Sequence, residues 1–273
     1  MRSNLPIIVG NGNLAWHLSA VLPGEVRVIS RDPEARAVGS IPVLGYSALS
    51  ALNPTVVFLA VPDDRIAEVS GQLSRLIPST VPVIHTSGAT PCARIDAHFA
   101  HRGVMWPVRS LRRGEAVTDW RDLPLVIYGL SPTVEQLLRE VAARLSDTVA
   151  WLDDTQRTQL HLAAVFSNNF VTALYEIAFQ LCADHAIPFE LLLPIIRNTA
   201  QRQDGSRPAA RQTGAAARGD TATMDRHVGL LQREDYRRLY RDISALILQY
   251  RLTEHDADLG GEADDDLKDE GVA

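Results

Sequence analysis

The chain of 273 residues contains one lysine, Lys268, against 26 arginines. A Schiff-base lysine, a P-loop lysine or a catalytic lysine of the hydroxyacid-dehydrogenase kind therefore has no source in its body. Its two cysteines, Cys92 and Cys182, make neither a disulfide framework nor a CxxC metal spacing, so no metal site is expected. Seventeen glycines and 15 prolines are too few for a collagenous or generally disordered chain. No signal peptide is legible, and no uninterrupted apolar run reaches the roughly 18 residues of a membrane span. A cytoplasmic protein without a membrane partner is the expectation.

A basic surplus is missing as well. The segment from Glu254 to Ala273 holds nine acids and one base, leaving 24 acids and 26 bases for the rest. The body is near neutral, and residues 253–273 read as a disordered acidic tail. Nucleic acid is excluded as a partner, because a binder would carry a clustered basic face. The arginines between Arg197 and Arg241 alternate with acids and read as a solvated face.

What is present is an alternation of short apolar runs and helical patterns, the signature of a parallel α/β sheet. Strands are expected at Leu5–Val9, Val26–Ile29, Val56–Val61, Val81–His85, Val104–Trp106, Leu125–Tyr128 and Val149–Leu152. Helices are expected at Leu14–Leu22, Pro33–Val38, Asp63–Ile77 and Thr133–Leu145. After Asp153 the strand pattern stops, and 154–184, 189–203, 220–231 and 234–251 read as helices. The fold class is thus α/β, a Rossmann doubly wound mostly parallel sheet followed by an all-helical C-terminal domain. The boundaries read as 1–153 for a dinucleotide-binding domain and 154–252 for a helical domain serving substrate and dimerisation.

The run Gly10-Asn11-Gly12-Asn13-Leu14-Ala15 matches G-x-G-x-x-[G/A] between the first strand and the first helix. Gly10 suits the tight turn, Gly12 a close backbone approach to a pyrophosphate, and Ala15 close helix–strand packing. The helix N-terminus adds N–H groups and a partial positive charge for phosphate. At the end of the second strand, where an acid would select NAD, stand Ser30 and Arg31. A hydroxyl and a bidentate guanidinium suit the 2′-phosphate, so NADP is the expected cofactor. Asp32, before Pro33, reads as a helix cap. Val61 and Pro62 should line the nicotinamide side, while Thr86 and Ser87 either touch the ligand or serve ordinary turn chemistry.

The helix over 154–184 is apolar nearly all round and should be buried. His161, Asn168, Thr172 and Tyr175 nevertheless fall on one face and form a polar stripe. A buried stripe of that kind marks a cavity, an interface or a structural network. Asp220 and His227, seven apart, read by spacing as a capped helix start with a surface histidine.

Together GNGNLA, VVFLAVPDDRI, HTSGA, HLAAVFSNNF and QTGAAARGD followed by His227 resemble an uncharacterised bacterial family. Its members join a Rossmann-like domain to a C-terminal helical domain of unknown function, and they are usually labelled NADP oxidoreductases. The architecture is similar to pyrroline-5-carboxylate reductase and 6-phosphogluconate dehydrogenase-like proteins. The resemblance makes His161, Asn169, Gln212, Thr213, Gly214, Arg218, Asp220 and His227 signature positions. Two residues depart from the family pattern. Ala215 replaces a usual proline, and Trp106 stands where a histidine or tyrosine is common, which speaks against a proton donor there.

These readings converge on an NADP-dependent oxidoreductase acting on a small, anionic carbonyl or imine compound between sheet and helical domain. A nucleotide-binding sensor or scaffold without turnover is the alternative. With lysine absent, His161 is the candidate proton donor or substrate anchor. Asn168 or Asn169 would orient the carbonyl, and Arg218 would clamp a carboxylate or phosphate. Of the other histidines, His17 should be exposed. The apolar helices imply a homodimer.

Overall fold

The structure, a computed structural model, describes residues 5–32, 37–117 and 119–261. By compactness the chain divides into two units, Met1–Ala178 and Phe179–Ala273.

The first unit is built on strands β1 (Pro6–Val9), β2 (Arg27–Ile29), β3 (Val43–Leu44), β4 (Val56–Leu59), β5 (Val83–His85), β6 (Arg102–Pro107), β7 (Leu125–Gly129) and β8 (Val149–Trp151). They form one eight-stranded sheet in the order β3-β2-β1-β4-β5-β6-β7-β8. Only β7 runs against its neighbour β6 and with β8; the other pairings are parallel. The order reverses at β1, so the crevice outside the C-terminal ends of β1 and β4 is the topological switch point.

Strand residues alternate between two faces, as a period of two requires. Ile8, Phe58 and Ile84 belong to one apolar core with α1 (Asn13–Val21) and α3 (Pro132–Leu145). Ile7, Val9, Val57, Leu59 and Val83 belong to the other with α2 (Ile66–Leu73). Both faces are covered, so central strands such as β4 are apolar throughout. The expected helix over 63–77 is shorter than its pattern: Asp63–Arg65 is a 3-10 turn and α2 ends at Leu73. The expected helix at 33–38 falls mostly outside the described residues. The two-residue strand β3 and the 3-10 turn Tyr46–Ala51 carried no legible period.

The expected helix over 154–184 is one rod with an interruption. Helix α4 (Asp154–Ala164) passes through a π-helical segment, Val165–Phe170, into α5 (Val171–Ala183). The unit boundary thus falls inside this helix rather than at its start. Its expected burial is not found. Only Arg157 is buried, whereas Leu162 is 50% exposed and Phe166 61%. Nor does the absence of a long apolar run hold against a span. By length and composition alone Asp154–Ala183 could cross a membrane, since an 18-residue window of it has a mean hydropathy of 1.3.

The second unit holds α6 (Leu193–Gln201), α7 (Ala215–Arg218), α8 (Thr221–Leu230) and α9 (Glu234–Gly261). Helix α9 runs past residue 252, where the tail was expected to begin, and 262–273 lie outside the described residues. Among the described residues of this unit only Ala217 and Leu231 are buried apolar side chains.

Candidate functional site

At the switch point, Gly10 leaves β1 with φ +126° and donates its N–H to the Ile29 carbonyl at 2.9 Å. A Cβ at Gly10 would lie 2.1 Å from the Ala60 carbonyl oxygen, so no other residue fits this turn. Around Gly12 an added Cβ would meet nothing within 4 Å, so the backbone can be approached closely. Gly12 is the N-cap of α1 and supplies no side-chain bond to its first turn, which leaves those N–H groups available for an anion.

Gly10, Asn11, Gly12, Ser30, Arg31, Val61 and Pro62 line one pocket, together with Tyr46, Ala60, Arg65 and Val69. Tyr46 and Arg65 were not among the residues singled out in sequence, although Arg65 sits in the VPDDRI run. Burial raises the Tyr46 phenol pKa, while the Arg31 and Arg65 guanidiniums pull it down, so both cations lie within electrostatic reach of the ring. Glu68 pairs with Arg65 at 2.7 Å but does not line the pocket. The buried Asn11 Oδ1 and Arg65 Nε have no hydrogen-bond partner among the described residues. Two guanidiniums, two hydroxyls and no carboxylate make a donor set that fits a phosphorylated ribose.

Asn13 and Leu14 do not line this pocket. Asn13 Oδ1 accepts from the Arg113 N–H at 3.2 Å, and Leu14 packs against the core. Arg113 also donates to the Asn11 carbonyl at 3.4 Å and the Ala37 carbonyl at 2.5 Å, tying the loop after β6 across the glycine turn. His17, expected on the surface, is 2% exposed, and its Nε2 lies 3.0 Å from the Arg112 carbonyl of that loop. Thr86 and Ser87 are buried, and both hydroxyls are engaged within the protein. Thr86 donates to the Leu59 carbonyl at 3.1 Å; Ser87 donates to Asp63 at 2.7 Å and accepts from the N–H groups of Ala89 and Thr90. Their chemistry shapes the turn.

A second cavity of about 400 Å³ lies at the C-terminal end of β6, lined by Trp106, Val108, Arg109, Ser110 and residues of the long helix. His161, Ala164, Val165, Asn168 and Asn169 repeat the three-and-four spacing of one helix face, and Ser167 joins them in the π segment. Widened turns of this kind recur at functional sites. Asn168 donates its amide to Asn169 Oδ1 at 3.3 Å. Thr172 and Tyr175, the rest of the expected stripe, do not line the cavity; Thr172 bonds back to the Asn168 carbonyl. The His161 ring lies 5.5 Å from that of Trp106. Both rest on the backbone of Gly88, where a Cβ would come within 2.6 Å of each ring. The glycine of HTSGA is therefore a contact requirement, readable only once its neighbours are known.

Beneath this loop is a buried polar cluster. Arg157 is fully buried and donates to the Thr90 carbonyl at 2.5 Å and to Asp154 at 2.7 Å. Asp154 accepts the Cys92 N–H at 3.0 Å. Burial, with Arg157 assisting, lowers the His85 pKa to about 4, so its imidazole is neutral and Nδ1 accepts the Ser87 N–H. Burial beside Asp154 pushes the Cys92 thiol up to about 12, which leaves it unreactive at neutral pH.

In the second unit Arg218 ends α7 and is exposed. Asp220 caps α8 by accepting the Thr223 N–H at 3.0 Å, and hydrogen bonds from Thr223 lower its pKa. His227 Nδ1 lies 2.8 Å from the Tyr240 hydroxyl.

The reversed strand order, the glycine turn and the helices on both faces define a Rossmann-type nucleotide-binding protein with a helical C-terminal portion. Residues 123–247 match the model of a domain of unknown function, DUF2520. A "putative NADP oxidoreductase" from Bacteroides fragilis is 29% identical, with 90% of this chain and 98% of that one covered and a TM-score of 0.81. A Thermotoga maritima protein is 21% identical, with 92% and 99% covered and a TM-score of 0.67. A pyrroline-5-carboxylate reductase from Coxiella burnetii shares the fold at 14% identity, with 93% and 98% covered and a TM-score of 0.52. No curated protein matches the chain.

Proposed function

We propose that the chain is an NADP-dependent oxidoreductase that transfers hydride to or from a small carbonyl or imine compound. The observation that carries this reading is that the phosphate-fitting pocket and the His161 cavity open along one edge of the sheet. Three strand steps, roughly 14 Å at about 4.8 Å each, separate the glycine turn after β1 from Trp106 on β6. A dinucleotide laid from β2 across β1 and β4 points its reactive end toward that cavity. The similarity to the Bacteroides fragilis protein supports the same reading.

When bound, the cofactor supplies or takes the hydride; the residues of this chain do the rest. The turn of Gly10 to Gly12 and the N–H groups at the start of α1 hold the pyrophosphate. Ser30 and Arg31, joined by Arg65 and Tyr46, hold the 2′-phosphate, and Val61 and Pro62 line the path toward β5. His161 holds or returns the proton at the substrate heteroatom, and Asn168 or Asn169 orients it. Trp106 walls the cavity and limits water around the reacting carbon.

Calorimetry should give NADPH at least tenfold tighter binding than NADH, since a phosphate paired with arginine is worth about 1.5–3 kcal/mol. Arg31→Ala should erase the preference and leave NADH binding nearly unchanged; equal affinities in the unaltered protein overturn the NADP assignment. With a substrate drawn from a panel of keto acids, imines and aldehydes, His161→Ala should lower kcat by about 10²–10⁴ without changing NADPH affinity. Tight NADPH binding with no turnover on the whole panel would favour the sensor. We propose further that a second copy of the chain covers the exposed apolar face of the Asp154–Ala183 helix.

A further inference from the structure

We propose that the cavity beside β6 takes substrates bearing a carboxylate, and that Arg109 is the residue that grips it. This names the substrate class of the site described above and rests on the oxidoreductase reading.

The lining of the cavity is one-sided in charge. Arg109 is its only permanently charged side chain, and the other polar groups are Ser110, Ser167, Asn168, Asn169, Trp106 and His161, with no Asp or Glu. Several other arginines of the first unit are matched to acids or carbonyls: Arg65 to Glu68, Arg121 to Asp147, Arg139 to Glu135, Arg157 to Asp154, Arg113 to Asn11 and Ala37. Arg109 is bonded only through its backbone N–H, to the Pro107 carbonyl at 2.9 Å; among the described residues its guanidinium has no partner. Its neighbour Val108 is fixed by donating to the Pro124 carbonyl at 2.9 Å. The arginine is thus held at the strand end while its planar fork stays available.

A single guanidinium matches a monoanion. It binds a carboxylate bidentately, whereas phosphate sites gather several cations or a helix N-terminus. The helix contributes the middle and not the start of its length here. The Asn168–Asn169 bond leaves the Asn169 Nδ2 hydrogens available to donate to the same ligand and the side-chain Oδ1 of Asn168 available to accept an imino N–H from it. Arg109 on one wall, the asparagines and His161 on the other, define a compound with a carboxylate near its reducible carbon, a 2-oxo or 2-imino acid. Arg218, the clamp expected from sequence, is not needed for this grip.

The test uses the full chain saturated with NADP and reads thermal stabilisation and binding by pyruvate, α-ketobutyrate and phenylpyruvate beside acetone, butanone and phenylacetone. At least one keto acid should bind, and its uncharged counterpart should not. Arg109→Gln should weaken the keto acid roughly tenfold to a hundredfold, with NADP affinity unchanged, and Arg109→Lys should recover part of the loss. Added guanidinium should restore binding to Arg109→Gln, which a merely structural role would not allow. Ketones binding as well as keto acids, no response to any carboxylate, or an unaffected Arg109→Gln would each overturn the proposal. In those cases an intact NADP response leaves the oxidoreductase reading standing; no NADP response at all removes both.

Discussion

At position 85 a histidine is held neutral by its surroundings. Burial is the main cause and the Arg157 charge the second; the Asp154 and Asp63 carboxylates oppose them without prevailing. The unfolded chain takes up a proton here near the ordinary value of 6.5, which the folded chain refuses until about pH 4. Between those limits the unfolded state binds more protons, so stability falls as pH falls. At about 1.4 kcal/mol per unit, the window is worth roughly 3 kcal/mol. His85→Asn keeps an acceptor for the Ser87 N–H and cannot titrate. Urea unfolding from about pH 7.5 down to about 4.5 should show the unaltered protein losing more stability than the variant. Parallel curves would mean that position 85 does not carry this linkage.

At the scale of elements, the sheet was legible because its signals are local. The runs Val56–Leu59 and Leu125–Gly129 are apolar wherever both faces are covered, and the glycine turn follows a strand directly. What escaped sequence reasoning is set by tertiary contact. Tyr46 and Arg65 reach the pocket of Arg31 from a 3-10 turn and the turn before α2, far apart in the chain. Arg109 and Arg113 lie in a loop with no periodicity, and the long helix misled because an apolar composition does not say what covers it. Gly88 is the sharpest case. Gly88→Ala puts a Cβ within 2.6 Å of both the His161 and Trp106 rings, so one must move. A displacement near 1 Å costs on the order of a hundredfold in turnover. NADPH affinity should stay within about threefold, since Gly88 is not among the residues lining the phosphate pocket. Unchanged kcat would show that the two rings need no fixed seat.

For the molecule as a whole, the balance of buried and exposed apolar surface decides what state it adopts. The first unit buries two sheet-spanning cores, whereas the second buries only Ala217 and Leu231 among its described apolar side chains. On that second unit Leu191 is 69% exposed and Leu230 71%. Along the long helix Leu162, Phe166, Phe170 and Leu174 recur every four residues as one exposed stripe. Surface of this kind in a soluble chain marks an association site, and a helical unit without a core of its own depends on being covered. A bilayer is a poor cover for this helix, because it starts by burying Arg157 against Thr90 and carries Ser167, Asn168 and Asn169 midway. A second copy supplies a matching stripe through a two-fold axis, with each face burying the other. Light scattering at micromolar concentration should therefore give twice the 30.0 kDa of the chain. Phe166→Ser combined with Phe170→Ser should shift it toward monomer and lower the unfolding temperature, and dilution of the unaltered protein should lower that temperature too. A monomer that stays dispersed without lipid would end the dimer proposal, and a monomer that sediments with neutral phosphatidylcholine vesicles would transfer the face to a membrane.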